Sequence, residues 1–520
     1  MRIDDRWIFA FVVGLAFFLR MTALGMKPPH FDEGVNGWFV DQMTREGFYH
    51  YDPSNFHGPM HFYLLFIAQA LFGRHVWALR LPVALISTGG VAMAFAFRRF
   101  VSERTCLVAA LAMAVSPGMT FYGRYAIHEP ELVFFMMLAI WGLAGLCGDG
   151  TASSSASSGP GNKPLWAAAL GATGMILTKE TYAIHFIAFA LAFPALQVWE
   201  RFSPSAESTF HLAPRVDAFA GWEWVAAVCG GSILFFYTGA FLDWSALPGL
   251  WQAFAYWGAT ATNGASGHEK EWHYWIELLV RYEWTALAGL AGVAWLLWPG
   301  RDRFVRYLGI AATGALVGYS IVSYKTPWCI ISIVWPLLFV FGYLVDCGMA
   351  RLDRWVTGAF ASLGIFGTLL LSLSLNFKDF ADENEPYVYV QTTEDVYKIT
   401  HPLRWLTSFD PAYYHVAGHV LIPVEESHPL PWLLGDFTQV DYLDREHPPQ
   451  PMDAEFLLVD DSIVSDTEEK LNDVYFKDSF LLRGNSPQFV SLYLRASTFA
   501  PYFPGRSPEF NPQRTDSSTK

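Results

Sequence analysis

The sequence predicts a polytopic all-α membrane bundle over residues 1–375, with about eleven transmembrane helices, followed by an extracytoplasmic α/β domain over 376–520. Of the 520 residues, 53% are hydrophobic and only 16% are charged, against about 25% charged residues in an ordinary soluble protein. Apolar runs close to membrane-spanning length recur through the first 375 residues. Residues 376–520 carry 24 acidic and 11 basic side chains, a balance of −13 out of −14 for the whole chain. Without a basic stripe, nucleic acid is not an expected partner.

Each apolar run is interpreted as one span where its length approaches the thickness of a bilayer. Residues 178–180 interrupt a long run at 165–199 and are interpreted as a tight turn between two spans. The first run lacks a small-residue cleavage site, so we expect an anchor and not a removable signal peptide. Residues 58–72 are expected to form a helix at the outer interface. The predicted spans are 7–25, 79–97, 105–122, 131–147, 165–178, 182–199, 222–241, 277–298, 305–323, 328–347 and 356–375.

Arginines in short loops give the expected orientation. Under the eleven-span count they fall on one side, which the positive-inside rule makes cytoplasmic. An odd number of spans then places residues 376–520 outside, in a multi-pass protein of the cell (inner) membrane. The arginines are Arg2, Arg6, Arg98, Arg99, Arg104, Arg301, Arg303, Arg306, Arg351 and Arg354.

The segment after residue 375 has the pattern of a folded α/β unit. Short strands are predicted at 387–391, 419–423, 455–459 and 488–495, and helical stretches at 393–408 and 466–474. The small, polar stretch 148–163 is expected to be a flexible linker. The end of the chain, from residue 507, is expected to be disordered.

The first candidate site follows span one, where Asp32 and Glu33 stand in an outer loop after two prolines. Clustered ionisable residues at a membrane surface cost free energy and therefore indicate function. The two acids point in different directions on any regular element. One can face a pocket while the other caps the helix predicted to follow, and a purely capping pair is the alternative.

The second candidate site follows span three, where Arg124, His128 and Glu129 precede span four. An acid beside Pro130 also suits the first turn of a helix, so a structural role is the alternative. Two carboxylates that emerge from different loops on one side can deprotonate a hydroxyl or share a divalent metal. We therefore expect Asp32, Glu33 and Glu129 to gather in one outward-facing cavity.

Further outer residues are candidates for substrate binding. Lys325, with Tyr324, can pair with a lipid phosphate, and a snorkelling lysine is the alternative. Lys179 and Glu180 form an outer pair that can simply neutralise itself. His57 and His61 lie four residues apart, so they share one face of a helix and can join His30 as metal ligands. Hydrogen-bonded structural histidines are the alternative.

Several function classes find no support in the sequence. No glycine-rich phosphate loop is present, so ATP-driven transport is disfavoured. No pair of similarly interrupted halves indicates an inverted-repeat carrier. Charges are scarce within the spans, which favours an enzyme over a carrier.

These motifs, in this order and on one side, resemble the GT-C membrane glycosyltransferases, a superfamily that includes protein O-mannosyltransferases and the aminoarabinose transferase. The resemblance covers roughly residues 1–375, is strongest over 1–135, and is closest to the flippase-activity-associated proteins. The motifs are Asp32-Glu33, His57-Gly58-Pro59-Met60-His61-Phe62-Tyr63, Arg80-Leu81-Pro82, Arg98-Arg99, the acid before span four, and Tyr324-Lys325-Thr326-Pro327-Trp328.

The resemblance implies a polyprenyl-phosphate-linked sugar as donor and a lipid, glycan or protein as acceptor, at the outer face. It implies that Asp32 or Glu33 is the catalytic carboxylate and that Glu129 is the second acid, while Lys325 is our choice for the phosphate partner. A divalent metal between Asp32 and Glu129 is left open. The aminoarabinose transferase branch has an Arg-Pro-Asp type corner where this chain has Ile127-His128-Glu129-Pro130, so sugar and acceptor are not carried over. The alternative function is a non-enzymatic flippase-associated protein or carrier for lipid-linked sugars.

Overall fold

A computed structural model describes residues 3–148, 162–206, 208–211, 219, 221–262, 267–443, 449–484 and 487–512. The chain divides into two compact units. The membrane unit consists of Met1–Leu24 and Glu46–Phe380, and the C-terminal unit consists of Gly25–Arg45 and Ala381–Lys520. Most of the predicted linker at 148–163 and the last eight residues of the predicted disordered end lie outside the described residues.

The membrane unit is helical throughout its described part. Its helices are α1 Ile3–Met21, α3 Met60–Phe72, α4 Val76–Ala94, α5 Glu103–Val115, α6 Pro117–Tyr122, α7 Glu129–Leu146, α8 Lys163–Thr178, α9 Tyr182–Glu200, α10 Trp222–Tyr237, α11 Gly249–Thr262, α12 Tyr274–Tyr282, α13 Trp284–Leu296, α14 Arg303–Ile321, α15 Ile330–Arg351 and α16 Arg354–Phe377. The helix α2 Phe31–Glu46 lies almost wholly in the C-terminal unit.

Six of the described helical segments are long and apolar enough to cross a membrane. They coincide with six predicted spans and run over Val76–Arg99, Glu129–Leu146, Tyr182–Glu200, Arg303–Ile321, Pro327–Arg351 and Arg354–Phe377. Shorter apolar helices are Met60–Phe72, Trp222–Tyr237 and Trp284–Leu296. The prediction of a mostly helical protein with several membrane-spanning helices is therefore confirmed, whereas the number of eleven spans stays a prediction.

Two predicted spans are each divided into two helices. The stretch 105–122 breaks at Ser116, whose hydroxyl accepts the Met119 N–H and starts a new helix at Pro117. The stretch 277–298 breaks at Glu283, between α12 and α13. Both breaks involve Glu283, because its buried carboxylate accepts the Ser116 hydroxyl at 2.8 Å and the Gly118 N–H at 2.7 Å. Hydropathy alone does not reveal such caps.

Helices α7 and α8 are antiparallel and pack closely through glycines. A Cβ atom at Gly142 would lie 2.1 Å from the Ala168 backbone nitrogen, and one at Gly171 would lie 2.3 Å from that of Ala139. Only a glycine allows backbones to approach this closely. The start of α7 and the end of α8 consequently lie side by side.

The C-terminal unit contains a five-stranded sheet of order β2-β1-β3-β5-β4. Strand β1 is parallel to β2 and β3, whereas β5 is antiparallel to β3 and β4. Buried Leu457, Tyr475 and Tyr493 belong to its core. The strands are β1 Ala417–Leu421, β2 Gln439–Tyr442, β3 Phe456–Asp460, β4 Tyr475–Arg483 and β5 Gln488–Arg495, and the helices besides α2 are α17 Tyr397–Phe409, α18 Leu430–Leu433, α19 Val464–Glu468 and α20 Ala496–Phe499.

Three of the four predicted strands are confirmed, and the strand at 387–391 is wrong. Instead of joining the sheet, this stretch pairs with the segment before α2. The Tyr389 carbonyl accepts a bond from His30 at 2.6 Å, and the Gln391 amide donates to the Pro28 carbonyl at 2.9 Å. The residues 25–45 are thus tied to the C-terminal unit.

Candidate functional site

A buried ion pair lies where α7 begins and α8 ends. The Lys179 ammonium donates to the Glu129 carboxylate, and the two side chains are only 6% and 2% exposed. The Cys329 thiol lies 3.9 Å from the same carboxylate oxygen. Close packing of α7 and α8 brings together these two residues, which are 50 positions apart. A shielded pair of this kind is costly to break, because either partner alone is a buried charge.

Beside this pair, the His57 ring contacts the Glu180 carboxylate over 2.8 Å. The expected pair between Lys179 and Glu180 is therefore wrong, since each side chain contacts a partner from another segment. Gly58 fixes this arrangement, because its N–H donates to the Thr178 carbonyl at 3.0 Å. A Cβ atom at Gly58 would lie 2.2 Å from the Leu177 carbonyl group.

Three histidine rings contact one another beside these residues. The His128 ring lies between those of His57 and His61, with centroid distances of 4.6 and 4.1 Å. His61 is fully buried and contacts Glu131 over 2.9 Å. The second Glu131 oxygen and the His128 Nε2 are buried without a hydrogen-bond partner among the described residues. The three rings therefore connect Glu180, through His57, with Glu131, through His61.

The charges in this cluster follow from burial and from their neighbours. Burial lowers the pKa of His128 well below its ordinary value, and the neighbouring His61, His57 and Lys179 side chains lower it further. Burial also disfavours the charged form of Lys179, but Glu129 and Glu180 outweigh it and raise the Lys179 pKa well above its ordinary value. For Glu180, burial is outweighed by His57 and Lys179, which lower its pKa. The cluster thus holds a cationic lysine and a neutral His128.

Arg124 lies near this cluster in the sequence but is bound to backbone carbonyls at the end of α1. Its guanidinium donates to the carbonyls of Leu19 at 2.8 Å and Thr22 at 2.7 Å, and it stacks on Phe377 at 4.7 Å. These carbonyls lack helical partners, so the arginine caps α1. The substrate role of Arg124 stays a prediction.

Lys325 and Tyr324 lie in a loop that pairs with residues 268–270. The Lys325 ammonium donates to the carbonyls of Lys270, at 3.1 Å, and Val322. The Lys325 side chain is almost completely buried, and burial lowers its pKa against the opposing charge of Glu271. The Tyr324 ring contacts His268 at 5.0 Å. The described contacts of the Lys325 ammonium are thus to neutral carbonyls.

In the C-terminal unit, the adjacent acids Asp32 and Glu33 have different roles. The buried Glu33 carboxylate accepts the His30 N–H at 2.8 Å, while the His30 Nδ1 accepts the Asp32 N–H at 3.0 Å. Together these bonds form a capping box at the start of α2. Burial lowers the pKa of His30, whose Nε2 contacts the Tyr389 carbonyl. No described residue hydrogen-bonds to the half-buried Asp32 carboxylate.

Sequence reasoning missed His428 and Arg483, which surround Phe31. The Arg483 guanidinium lies 4.8 Å from the Phe31 ring centroid, and the His428 ring contacts it edge-on at 5.5 Å. A Cβ atom at Gly34 would lie 2.3 Å from Pro429 Cα, so α2 rests directly on the segment that carries His428. The sequence signal for this contact is the pair Gly34 and Gly37, which lie three residues apart on one face of α2 and let another segment pack closely against it.

The predicted metal ligands do not form a group within the described residues, where no cluster of three His, Cys, Asp or Glu side chains is arranged to hold an ion. Asp32 and Glu129 belong to different units, and Glu129 is paired with Lys179. His30 likewise belongs to a different unit from His57 and His61. Metal binding stays a prediction.

A family model described as "Dolichyl-phosphate-mannose-protein mannosyltransferase" matches residues 56–213. The "Undecaprenyl phosphate-alpha-4-amino-4-deoxy-L-arabinose arabinosyl transferase 1" of Pseudomonas fluorescens (strain Pf0-1) is 24% identical over 442 residues, 80% of this chain and 68% of that protein. The crystal structure of ArnT from Cupriavidus metallidurans bound to undecaprenyl phosphate matches 94% of this chain and 98% of its own, with a TM-score of 0.56 and 14% identity. Its apo state matches with a TM-score of 0.55 and 15% identity, over the same shares of both chains.

The family match, the curated relative and the shared fold together indicate an integral membrane glycosyltransferase. The predicted resemblance to the GT-C membrane glycosyltransferases is thereby confirmed. The finer resemblance to the flippase-activity-associated proteins stays a prediction.

Proposed function

We propose that the protein transfers a sugar from a polyprenyl-phosphate-linked donor to a hydroxyl group of a lipid, glycan or protein acceptor at the outer face of the membrane. The proposal includes eleven spans in the cell (inner) membrane and an extracytoplasmic C-terminal domain. The observation that carries it is the open Asp32 carboxylate at the start of α2, in a chain with the fold of a protein crystallised with undecaprenyl phosphate. Related proteins named for undecaprenyl phosphate and dolichyl-phosphate-mannose support this donor class.

Asp32 is the proposed base. The acceptor O–H gives its proton to the Asp32 carboxylate as the acceptor oxygen forms a bond to the anomeric carbon of the donor. The bond between this carbon and the phosphate oxygen breaks, and the lipid phosphate leaves with the electron pair. A positioned base of this kind contributes about 10²- to 10⁴-fold to the rate. Glu33 holds the helix start and so positions Asp32.

The leaving phosphate gains negative charge, so a cation near it stabilises the transition state. Lys325 is the proposed partner, because two of its three N–H donors go to backbone carbonyls and leave a third for an anion. Lys325→Gln keeps a donor for the carbonyls and removes the charge. We expect the donor KM to rise about tenfold, the effect of one charge-assisted hydrogen bond. An unchanged donor KM would exclude Lys325 from this role.

A deletion strain tests the proposed activity. We expect mass spectrometry to find an accumulated polyprenyl-phosphate sugar and a surface glycan, lipid or protein that lacks this sugar. The full chain should restore the missing sugar, whereas an Asp32→Asn chain present at the same level in membranes should not. Restoration by Asp32→Asn would refute the proposed base.

An assay without a sealed membrane distinguishes the proposed transferase from the alternative, a carrier for lipid-linked sugars. Purified protein in detergent should transfer the accumulated sugar to acceptor extracted from the deletion strain, because a transferase needs no second compartment. A carrier moves lipid between two sides and would give no transfer there. The buried charges favour the transferase, since Glu129 lies at the start of α7 and Lys179 just after α8, not at mid-span.

A further inference from the structure

The C-terminal unit brings the polar side chains of His428 and Arg483 against Phe31, the residue before Asp32 at the start of α2. Helix α2 carries Gly34 and Gly37 on one face, and the side chains they lack leave room for Pro429 and Trp432. Added Cβ atoms would lie 2.3 Å from Pro429 Cα and 2.5 Å from the Trp432 ring. This close contact holds His428, the residue before Pro429, next to the start of α2.

Two buried polar atoms beside Phe31 lack hydrogen-bond partners. They are Nδ1 of His428 and Nε of Arg483, in side chains that are only 9% and 6% exposed, and the described residues offer neither atom a partner. The Nη2 group of Arg483 is occupied differently, since it donates to the Glu426 carbonyl at 2.6 Å and to the Gln488 side chain. Buried polar atoms without partners cost free energy, so a ligand that satisfies them is favoured.

The donor and acceptor character of these groups selects the ligand. A carboxylate at Asp32 only accepts hydrogen bonds, and Nε of Arg483 only donates one. A neutral imidazole can do either at Nδ1, depending on its tautomer. A hydroxyl group fits this set, because it donates a hydrogen bond to one partner and accepts one from another. An anion would be repelled by Asp32, and a cation by Arg483.

We propose that His428 and Arg483 form, with Asp32, a subsite that binds a hydroxyl group of the acceptor. This inference rests on the proposed function and gives the C-terminal unit a direct part in it. Asp32 removes the proton, while His428 and Arg483 hold the hydroxyl and its neighbours on the sugar or side chain in place.

Electrostatics agree with this geometry. Burial lowers the pKa of His428 to about 4, although the charge of Asp32 raises it. Arg483 lowers this pKa as well, and Glu425 raises it. Near neutral pH the imidazole is therefore uncharged, so that its Nδ1 donates or accepts a hydrogen bond according to its tautomer.

The first test separates acceptor binding from donor binding in the full-length protein. The probe is the accumulated polyprenyl-phosphate sugar, with extract of the deletion strain as acceptor source. We expect His428→Leu and Arg483→Gln each to raise the amount of extract needed for half-maximal rate by about tenfold, the effect of one lost hydrogen bond. The donor KM should stay within about twofold. His428→Asn, which keeps a polar atom near the position of Nδ1, should restore most of the acceptor affinity.

Two matched variants serve as controls. His419→Leu removes a second histidine of this unit that is 9% exposed with an unpartnered Nδ1, but that lies 3.9 Å from Asp441 on the sheet. Arg506→Gln removes an exposed arginine paired with Glu509. Neither should change the acceptor requirement. Equal effects in these controls, or no effect of His428→Leu and Arg483→Gln, would overturn the subsite.

A second measurement does not depend on activity. In ¹⁵N-histidine-labelled protein, the His428 signal is assigned by its loss in His428→Asn. We expect Asp32→Asn to lower the titration midpoint of His428 and Arg483→Gln to raise it, whereas an unchanged midpoint in both would contradict the cluster. If Asp32→Asn keeps full transfer, the proposed function fails. If it abolishes transfer while His428→Leu and Arg483→Gln behave as wild type, only the subsite fails.

Discussion

In the membrane unit the buried acids Glu129, Glu131 and Glu180 each contact a lysine or histidine, whereas in the C-terminal unit Asp32 is left open beside a committed Glu33. Paired buried charges are rigid and costly to disturb. An acid without a hydrogen-bond partner, held in place by a neighbour that caps the helix, is available to a substrate. Acids of similar appearance in the sequence thus divide into those with a partner in the fold and one whose carboxylate has no hydrogen-bond partner among the described residues.

The largest expected effect on stability comes from breaking the buried pair of the membrane unit. Lys179→Met leaves Glu129 buried without its cation and should lower the free energy of unfolding by about 3–5 kcal/mol. The double variant Lys179→Met/Glu129→Gln should recover part of the loss, because no charge is left buried. Thermal unfolding of the purified protein measures both.

A more exposed ion pair of the C-terminal unit is the matched control. Lys477 and Glu468 lie 2.8 Å apart but are 27% and 29% exposed. Lys477→Met should cost less than about 1 kcal/mol. Equal costs for Lys179→Met and Lys477→Met would contradict the distinction between buried and exposed pairs.

A smaller loss of stability is expected at Gly58, where close backbone contact and not a charge positions the His57 loop. Gly58→Ala places a Cβ atom 2.2 Å from the Leu177 carbonyl group, so the His57 loop must move away from α8. We expect a loss of about 1–3 kcal/mol, measured as a lower unfolding temperature. Gly14→Ala is the control, since no atom lies within 4 Å of that Cβ position. A cost for Gly14→Ala as large as for Gly58→Ala would contradict the steric argument.

A further effect is a gradual dependence of stability on pH. Burial lowers the pKa of His428 from 6.5 to about 4, so between these values the unfolded chain takes up a proton that the folded chain does not. The unprotonated state of His428 therefore leaves the free energy of unfolding unaffected above pH 6.5. Below pH 6.5 this histidine lowers the free energy of unfolding, by at most about 1.4 kcal/mol per pH unit. His428→Asn should reduce the slope of unfolding temperature against pH, and His415→Asn, at an exposed histidine, should not. An unchanged slope in His428→Asn would contradict the assignment.

The sequence predicts those features whose cause is local. Hydropathy identifies the long apolar helices, and an acid beside a proline at a helix start draws attention to Glu129. Contacts between distant segments have no local signal. Lys179 contacts Glu129 only because glycines let α7 and α8 approach each other closely. His428 belongs to no recognisable sequence motif. The attachment of residues 25–45 to the C-terminal unit joins segments more than 300 positions apart, which hydropathy cannot reveal.

The division between Asp32 and Glu33 is the most direct test of the account. Transfer per folded molecule and unfolding temperature are measured for Asp32→Asn and Glu33→Gln in the same preparation. We predict that Asp32→Asn loses about 10²- to 10⁴-fold in rate at an unchanged unfolding temperature, while Glu33→Gln unfolds at a lower temperature and keeps most of its rate. A catalytic loss in Glu33→Gln alone, with Asp32→Asn fully active, would contradict the account.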